Sequence, residues 1–420
     1  MSEKGKAVID RANCEALDAI DPLRAHRESF DLPERIIYLD GNSLGALPKM
    51  TAARIGNLLR DEWGHGLIRS WNTHAWITSP QRVGGKLARL LGAGENEVIV
   101  ADSTSVNIFK LLAGALAMPD VAHRRVILSE RGNFPTDLYI AEGVNAMLDG
   151  RYTLKLVDAA DVEGALDADV AVALITQVDY CTGRLHDMLH LNRRATAAGT
   201  RIVWDLSHSA GAIALELNAH GAELGVGCGY KYLNGGPGAP AFMYLAKALQ
   251  ASFATPLSGW FGHQTPFAFA NAYTPALGIG RLLCGTPPVI AMAALECGID
   301  TFDGVPMDAI RKKSQALSKL FRALVDQECG DFGFTCVTPV DEDAHGSHLS
   351  FAHEHAYPIM QAIIDHGVIG DFRQPNLMRF GFAPLYVRFA DCFNAVTVLR
   401  EVMLNGAWKA KQYHQQNSVT

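Results

Sequence analysis

From about residue 96 to residue 245 the chain alternates short apolar segments with longer amphipathic ones, and that alternation leaves few folds open. The short segments are Glu97 to Ala101, Arg125 to Leu128, Thr153 to Val157, Val170 to Ile175, Arg201 to Trp204 and Ala241 to Leu245, most of them rich in Val, Ile and Leu. Strands of that composition are buried on both faces, as in a parallel sheet. Between several of them, Val106 to Ala117 and Leu189 to Ala198 carry the apolar spacing of a helix with one buried side. Parallel strands need crossover connections, which helices supply. The segment therefore predicts an α/β fold, a mostly parallel, doubly wound sheet with helices on both faces. Ligands of such sheets bind beyond the strand ends.

Past about residue 285 the pattern changes. Helical runs at Val289 to Phe302 and Met307 to Gln327 precede strand candidates at Phe334 to Pro339 and His348 to Ala352, as in a small α+β domain. The first sixty residues hold helix, the strand candidate Ile36 to Leu39 and the turn-rich Gly41-Asn42-Ser43-Leu44-Gly45, and are expected to pack against that later domain. The expected division is an N-terminal segment over 1–60, a large α/β domain over 61–285 and a small α+β domain over 286–420. A chain of 420 residues with 49% hydrophobic composition has the apolar material for such cores.

A net charge of −7 gives no excess of Lys and Arg, so neither nucleic acid nor an anionic membrane is an expected partner. A small-molecule substrate fits better. The eight cysteines, Cys14, Cys181, Cys228, Cys284, Cys297, Cys329, Cys336 and Cys392, form no CxxC pair and read as reduced thiols. No apolar signal core opens the sequence and no span of roughly 20 apolar residues interrupts it, so a cytoplasmic location is expected. His186 with His190, and His353-Glu354-His355, have metal-like spacing but lack a third ligand; no metal site is expected. Gly225-Val226-Gly227-Cys228-Gly229 lacks the GxGxxG spacing and the following acidic residue of a dinucleotide site.

Two segments carry chemistry. Trp204-Asp205-Leu206-Ser207-His208 places an acid at the end of a buried strand, and Gly229-Tyr230-Lys231-Tyr232 places a lysine before the glycine-rich turn Asn234 to Gly238. A lysine that forms an imine and an aspartate that keeps a pyridine nitrogen protonated are what a pyridoxal 5'-phosphate enzyme requires. A buried carboxylate such as Asp205 is costly without a cation beside it, although the same residue also reads as a helix N-cap. Asp102-Ser103-Thr104-Ser105-Val106-Asn107 follows a strand and opens a helix, so free N–H groups and the Thr104 and Ser105 hydroxyls suit a phosphate; a plain Ser/Thr cap has the same composition. In Asn133-Phe134-Pro135-Thr136-Asp137, Phe134 can stack on a flat heteroaromatic ring and Asp137 can add negative charge near it. The alternative there is a cap before a helix.

With these residues in place, the chain resembles the kynureninases, pyridoxal phosphate enzymes of the aspartate aminotransferase fold (PLP-dependent transferase fold type I), over most of its length. The resemblance rests on Tyr38-Leu39-Asp40-Gly41-Asn42-Ser43-Leu44-Gly45, Trp76-Ile77-Thr78, Asn133 to Asp137, Trp204 to Gly211, Gly229 to Gly238 and Gly259-Trp260-Phe261-Gly262-His263, in that order. It implies a cofactor imine on Lys231, pyridine contacts from Asp205 and Asp137, ring stacking by Phe134, and Thr104, Ser105, Pro135, Thr136, Thr176, His208 and Tyr230 around the phosphate and ring. It further implies that Trp260 and Thr286 reach the cofactor from the partner subunit of a homodimer, and that Arg379 holds the substrate α-carboxylate. The implied reaction is hydrolysis of L-kynurenine to anthranilate and L-alanine in tryptophan catabolism, with Lys231 as base and Tyr230 as proton donor and acceptor in the later steps. Trp71, Gly285 and Thr286 stand where animal enzymes that prefer 3-hydroxykynurenine carry His, Ser and Asn, so the implied preference is for L-kynurenine over its 3-hydroxy form. The rival readings are a cysteine desulfurase or an aminotransferase of the same fold, and a ligand-binding regulator that kept the fold without catalysis.

Overall fold

The computed structural model describes residues 8–415; Met1 to Ala7 and the last five residues lie outside the described part. Its principal sheet has seven strands, in the spatial order Val98–Val100, Phe242–Leu245, Leu224–Gly227, Arg201–Asp205, Val170–Thr176, Val126–Glu130 and Thr153–Val157. The five strands from Leu224–Gly227 to Thr153–Val157 pair in parallel, whereas Phe242–Leu245 runs antiparallel to both neighbours.

Alternation along each strand sends successive side chains to opposite faces, and two apolar clusters form accordingly. Val98, Leu128, Ile175, Trp204 and Phe242 belong to one cluster, and Ile99, Ile127, Leu174, Val203 and Met243 to the other. All seven residues of Val170–Thr176 are buried, which is why this segment is an uninterrupted apolar run.

The strand Leu224–Gly227 escapes a reading by composition because Gly225 and Gly227 take two of its four positions. A Cβ on Gly227 would lie 2.5 Å from the Phe242 ring on the neighbouring strand, so the glycine makes room for the ring. The segment set aside as a failed dinucleotide motif is therefore sheet core.

A four-stranded antiparallel sheet forms from Thr335–Cys336, His348–Ala352, Leu377–Gly381 and Asp371–Arg373 in that order. The strand expected over Phe334 to Pro339 is only two residues long. Thr338 Oγ1 accepts from Ser350 N–H at 2.9 Å, so a side chain replaces the next ladder bond, and Pro339 has no N–H to continue it. The N-terminal segment joins this region through Ile37–Tyr38, shorter than the expected Ile36 to Leu39, which pairs in parallel with Val368–Ile369. Asp40 bridges Gly381. Asp18 accepts from the N–H groups of Phe389 and Ala390 (2.7 and 2.9 Å), capping the helix Phe389–Asn405.

Candidate active site

Four strand ends, of Val98–Val100, Val126–Glu130, Val170–Thr176 and Arg201–Asp205, and one loop build the site. Beyond Val98–Val100 the chain turns at Asp102, whose φ is +50°, and enters the helix Thr104–Leu116 with Ser103 as N-cap (Ser103 Oγ to Val106 N, 3.4 Å). Lys110 pins the turn from within: its fully buried Nζ donates to Asp102 Oδ2 (2.5 Å) and to Leu282 O (2.6 Å). The first N–H groups of the helix, on Thr104 and Ser105, have no hydrogen-bond partner among the described residues, as every helix start leaves them.

Beyond Val126–Glu130 lies the helix Pro135–Met147 with Phe134 as N-cap, so Pro135, Thr136 and Asp137 form its first turn. The helix start has no side-chain cap hydrogen bond. Beyond Arg201–Asp205, Asp205 accepts at Oδ1 from Ser207 N (2.9 Å) and Ser207 Oγ (2.6 Å), and its Oδ2 accepts no hydrogen bond among the described residues.

Lys231 comes from the loop after Leu224–Gly227, and its Nζ lies 2.9 Å from His208 Nε2 and 6.0 Å from the centre of the Phe134 ring. The N-terminal segment supports this loop: Gly45 N–H donates to Tyr230 O at 2.8 Å. A Cβ on Gly45 would fall 2.6 Å from Asn234 Cα and meet the Lys231 carbonyl oxygen, so only glycine permits that approach.

These groups enclose one cavity of about 160 Å³, lined by Thr104, Ser105, Phe134, Thr136, Asp137, Thr176, Tyr180, Asp205, Ser207, His208, Tyr230 and Lys231. Its electrostatics are those of a site short of a cation. Burial raises the Asp205 carboxyl, and the Ser207 hydrogen bonds and Lys231 only partly oppose this. Asp137 is pushed well up by burial and by Asp205, although Thr176 Oγ1 sits 3.4 Å from its Oδ2. Burial, then Lys231, depresses His208 well below the usual imidazole value, so its ring is neutral, and its Nδ1 is buried without a partner among the described residues. Burial raises the Tyr230 hydroxyl, with Cys228 and Asp205 adding to it, so Tyr230 holds its proton.

Pyridoxal 5'-phosphate fits this arrangement. Two raised carboxylates face one cavity and ask for a protonated ring nitrogen, the unpaired N–H groups at the helix start and two hydroxyls suit a phosphate, and Lys231 stands within the same enclosure.

Other expected site residues are not brought to this cavity within one chain. Trp260 is exposed and packs edge-on against Phe261 and Phe267 at 4.6 and 5.5 Å. Gly285 and Thr286 are exposed, and Trp71 packs between Trp76 (5.8 Å) and Phe261 (6.1 Å).

Arg379 is 1% exposed, and its fork is occupied by Asp371: Nε donates to Oδ1 at 2.8 Å and Nη2 to Oδ2. A guanidinium buried this deeply needs a counter-charge. Asp371, Ser43 and Arg373 therefore join the group unannounced, since no local pattern ties a buried acid to an arginine across a strand pair. Tyr180 and Ser207 were also missed. Ser207 lies inside the Trp204 to His208 motif, and Tyr180 follows the carboxyl end of Val170–Thr176, where ligands of such sheets bind.

Among the described residues no group of three or more His, Cys, Asp or Glu is placed to hold a metal ion. His186 pairs instead with Glu130 (2.9 Å), His190 with Glu163 (2.9 Å), and His355 stacks on Trp408 (4.6 Å).

The kynureninase C-terminal domain family matches residues 310–399. A kynureninase of Burkholderia mallei is 51% identical over 409 residues, covering 96% of this chain and 98% of its own. One from Pseudomonas fluorescens is 48% identical over 413 residues, covering 98% and 99%. Among solved structures, a cysteine desulfurase of Thermococcus onnurineus superposes with a TM-score of 0.75 at 18% identity, covering 91% of this chain and 98% of its own. An Escherichia coli cysteine desulfurase gives 0.73 at 16% identity, covering 95% and 99%. A C-DES mutant with glycine covalently linked to its PLP cofactor gives 0.72 at 14% identity, covering 93% and 99%. At such identities the structures show the fold alone, PLP-dependent fold type I.

Proposed function

We infer the function from two facts: this chain belongs to the kynureninase family, and its Lys231 cavity has the donors and charges that pyridoxal 5'-phosphate requires. It is a kynureninase, a PLP-dependent hydrolase that converts L-kynurenine to anthranilate and L-alanine. The observation that carries the cofactor assignment is Asp205, buried, with Oδ1 held by Ser207, lining the cavity that also contains Lys231.

When bound, the cofactor supplies an electrophilic carbonyl carbon for the substrate amine and an electron-withdrawing ring. The protein does the rest. With the cofactor bound, Asp205 and Asp137 would keep a proton on the ring nitrogen, Phe134 would stack on the ring, and Thr104 and Ser105 with their helix N-terminus would hold the phosphate. Lys231, once its Nζ is free, removes the substrate α-proton, with the His208 ring 2.9 Å away. Tyr230, which keeps its proton, donates and later recovers it as water adds to the γ-carbonyl and the bond to the β-carbon breaks. Arg379, on Leu377–Gly381, addresses the α-carboxylate.

The reading extends to a homodimer. Trp260 and Thr286 are exposed and do not line their own Lys231 cavity, and a wide apolar cavity of about 990 Å³ is lined by Leu32, Ile55, Trp63, Trp76, Val289 and Ile290 among others. A second copy seated there brings those residues to its partner's cofactor; sedimentation at rising protein concentration tests it. The division into 1–60, 61–285 and 286–420 is kept, as is a cytoplasmic location. The latter is supported by free thiols at all eight cysteines; among the described residues no helix is long and apolar enough to cross a membrane.

The test of the reaction is to incubate the cofactor-loaded protein with L-kynurenine and follow anthranilate fluorescence and alanine together. Equal amounts of both are expected. Sulfide from cysteine without anthranilate would move the chain to the desulfurases whose fold it shares. Trp71, Gly285 and Thr286 support a higher kcat/KM for L-kynurenine than for 3-hydroxykynurenine, and the reverse order would sink that preference.

A further inference from the structure

The start of the helix Thr104–Leu116 carries an acid where an anion is to be held. Asp102 stands next to the N-cap Ser103, just before Thr104, and its side chain is 26% exposed. With Ser103, Gly238 and Tyr230 it lines a cavity of about 610 Å³, and Tyr230 also lines the Lys231 cavity. A carboxylate there takes up the attraction that a helix start offers to anions, and it repels a phosphate dianion.

The backbone holds the acid in that place. Asp102 turns at φ +50°, its carbonyl oxygen accepts from Ala241 N–H, and Ala101 N–H donates to Ala241 O, both at 2.9 Å. Its charge is answered from inside the protein. Lys110, further along the same helix, is fully buried, and its Nζ donates to Asp102 Oδ2 (2.5 Å) and to Leu282 O (2.6 Å). Cys284 Sγ donates to Asp102 Oδ1 at 3.8 Å, so both carboxylate oxygens are engaged. Taking an ammonium fully out of water gains little net stability over an apolar side chain of similar volume. What an apolar residue could not do is cancel the charge of Asp102.

We propose that Lys110 is a positioning residue for the cofactor's phosphate: it neutralises Asp102 beside the helix start, so that Thr104 and Ser105 can receive a dianion. The inference rests on the pyridoxal 5'-phosphate site read above and deepens it, because it names the group that makes that helix start selective for the phosphorylated cofactor.

The test uses the full-length protein freed of cofactor and two probes, pyridoxal 5'-phosphate and pyridoxal, which differ by the phosphate; binding is read from the long-wavelength absorbance. Lys110→Met should weaken pyridoxal 5'-phosphate roughly 10- to 100-fold while pyridoxal changes by less than about 3-fold. Adding Asp102→Asn to Lys110→Met removes the opposing charge and should restore most of the loss. Unchanged affinity for pyridoxal 5'-phosphate in Lys110→Met overturns the proposal, and so does an equal loss for both probes, which would mean that Lys110 only holds the structure. A double variant no better than Lys110→Met overturns it as well. Should Lys110→Met not fold, Asp102→Asn alone carries the test: it should bind pyridoxal 5'-phosphate at least as tightly as the wild type, and a loss confined to that probe refutes the charge argument. A wild type that binds both probes equally defeats the phosphate assignment and this proposal with it. A wild type that prefers the phosphorylated probe, with Lys110→Met keeping that preference, defeats the proposal alone.

Discussion

Asp40 ties the arginine cluster to pH, and replacing it with asparagine has an effect that can be worked out. The residue sits at the bridge to Gly381, with Oδ1 buried and without a hydrogen-bond partner among the described residues. Burial and the neighbouring Asp371 push its carboxyl up from 3.8 to about 7, against the pull of Arg379 and Ser43. A folded value above the unfolded one means that the folded chain binds this proton more tightly. The stability it contributes is therefore complete below about pH 4 and is lost as pH rises through about 7. From 3.8 and about 7, linkage gives ~2.5 kcal/mol more destabilisation at pH 8 than at pH 5. Asn keeps the shape and cannot ionise. Urea unfolding of the wild type and of Asp40→Asn at pH 5, 6, 7 and 8 should thus show the variant gaining on the wild type by about that amount, mostly between pH 5 and 7. Parallel curves for the two proteins would refute the reasoning, since they would mean that Asp40 is ionised in the fold at all of these pH values.

Three further substitutions test other links. Lys231→Ala should abolish anthranilate formation and the cofactor's long-wavelength absorbance together; a variant that kept both would show that another lysine holds the cofactor. Gly45→Ala drives a Cβ to 2.6 Å from Asn234 Cα and onto the Lys231 carbonyl, so it should cost roughly 1–3 kcal/mol in thermal unfolding. It should also lower kcat by displacing the Tyr230-Lys231 loop, and an unchanged kcat would show that the loop is placed without this contact. Asp371→Ala leaves the buried Arg379 guanidinium without its counter-charge, for a loss of roughly 3–5 kcal/mol in urea unfolding; a loss below about 1 kcal/mol would show that the pair is solvated in solution.

Much of the fold was legible because burial leaves a mark on composition. The strand Val170–Thr176 is buried along its whole length, so it reads as a run of apolar residues. Leu224–Gly227 was not legible, because its two glycines answer to the Phe242 ring on a neighbouring strand, a partner that local sequence does not reveal. Strand length failed in the same way at Phe334 to Pro339, where Thr338 Oγ1 took the ladder bond that a longer strand would have used.

The candidate site divides along the same line. Its chemical alphabet was present in the sequence: Asp205 at a strand end, Lys231 before a glycine-rich turn, Ser103 to Ser105 at a helix start and Phe134 before Pro135. Each is a local feature, set by where a strand stops or a helix begins, and local features survive in one dimension. What only the tertiary structure decided is which groups face each other. Asp205 raises the Asp137 carboxyl across one cavity, Gly45 approaches the Lys231 loop from the N-terminal segment, and Asp371 accepts from both Arg379 and Arg373. Electrostatic coupling and hydrogen bonding depend on distances of a few ångströms in space, and residues from separate elements acquire those distances only when the sheets pack.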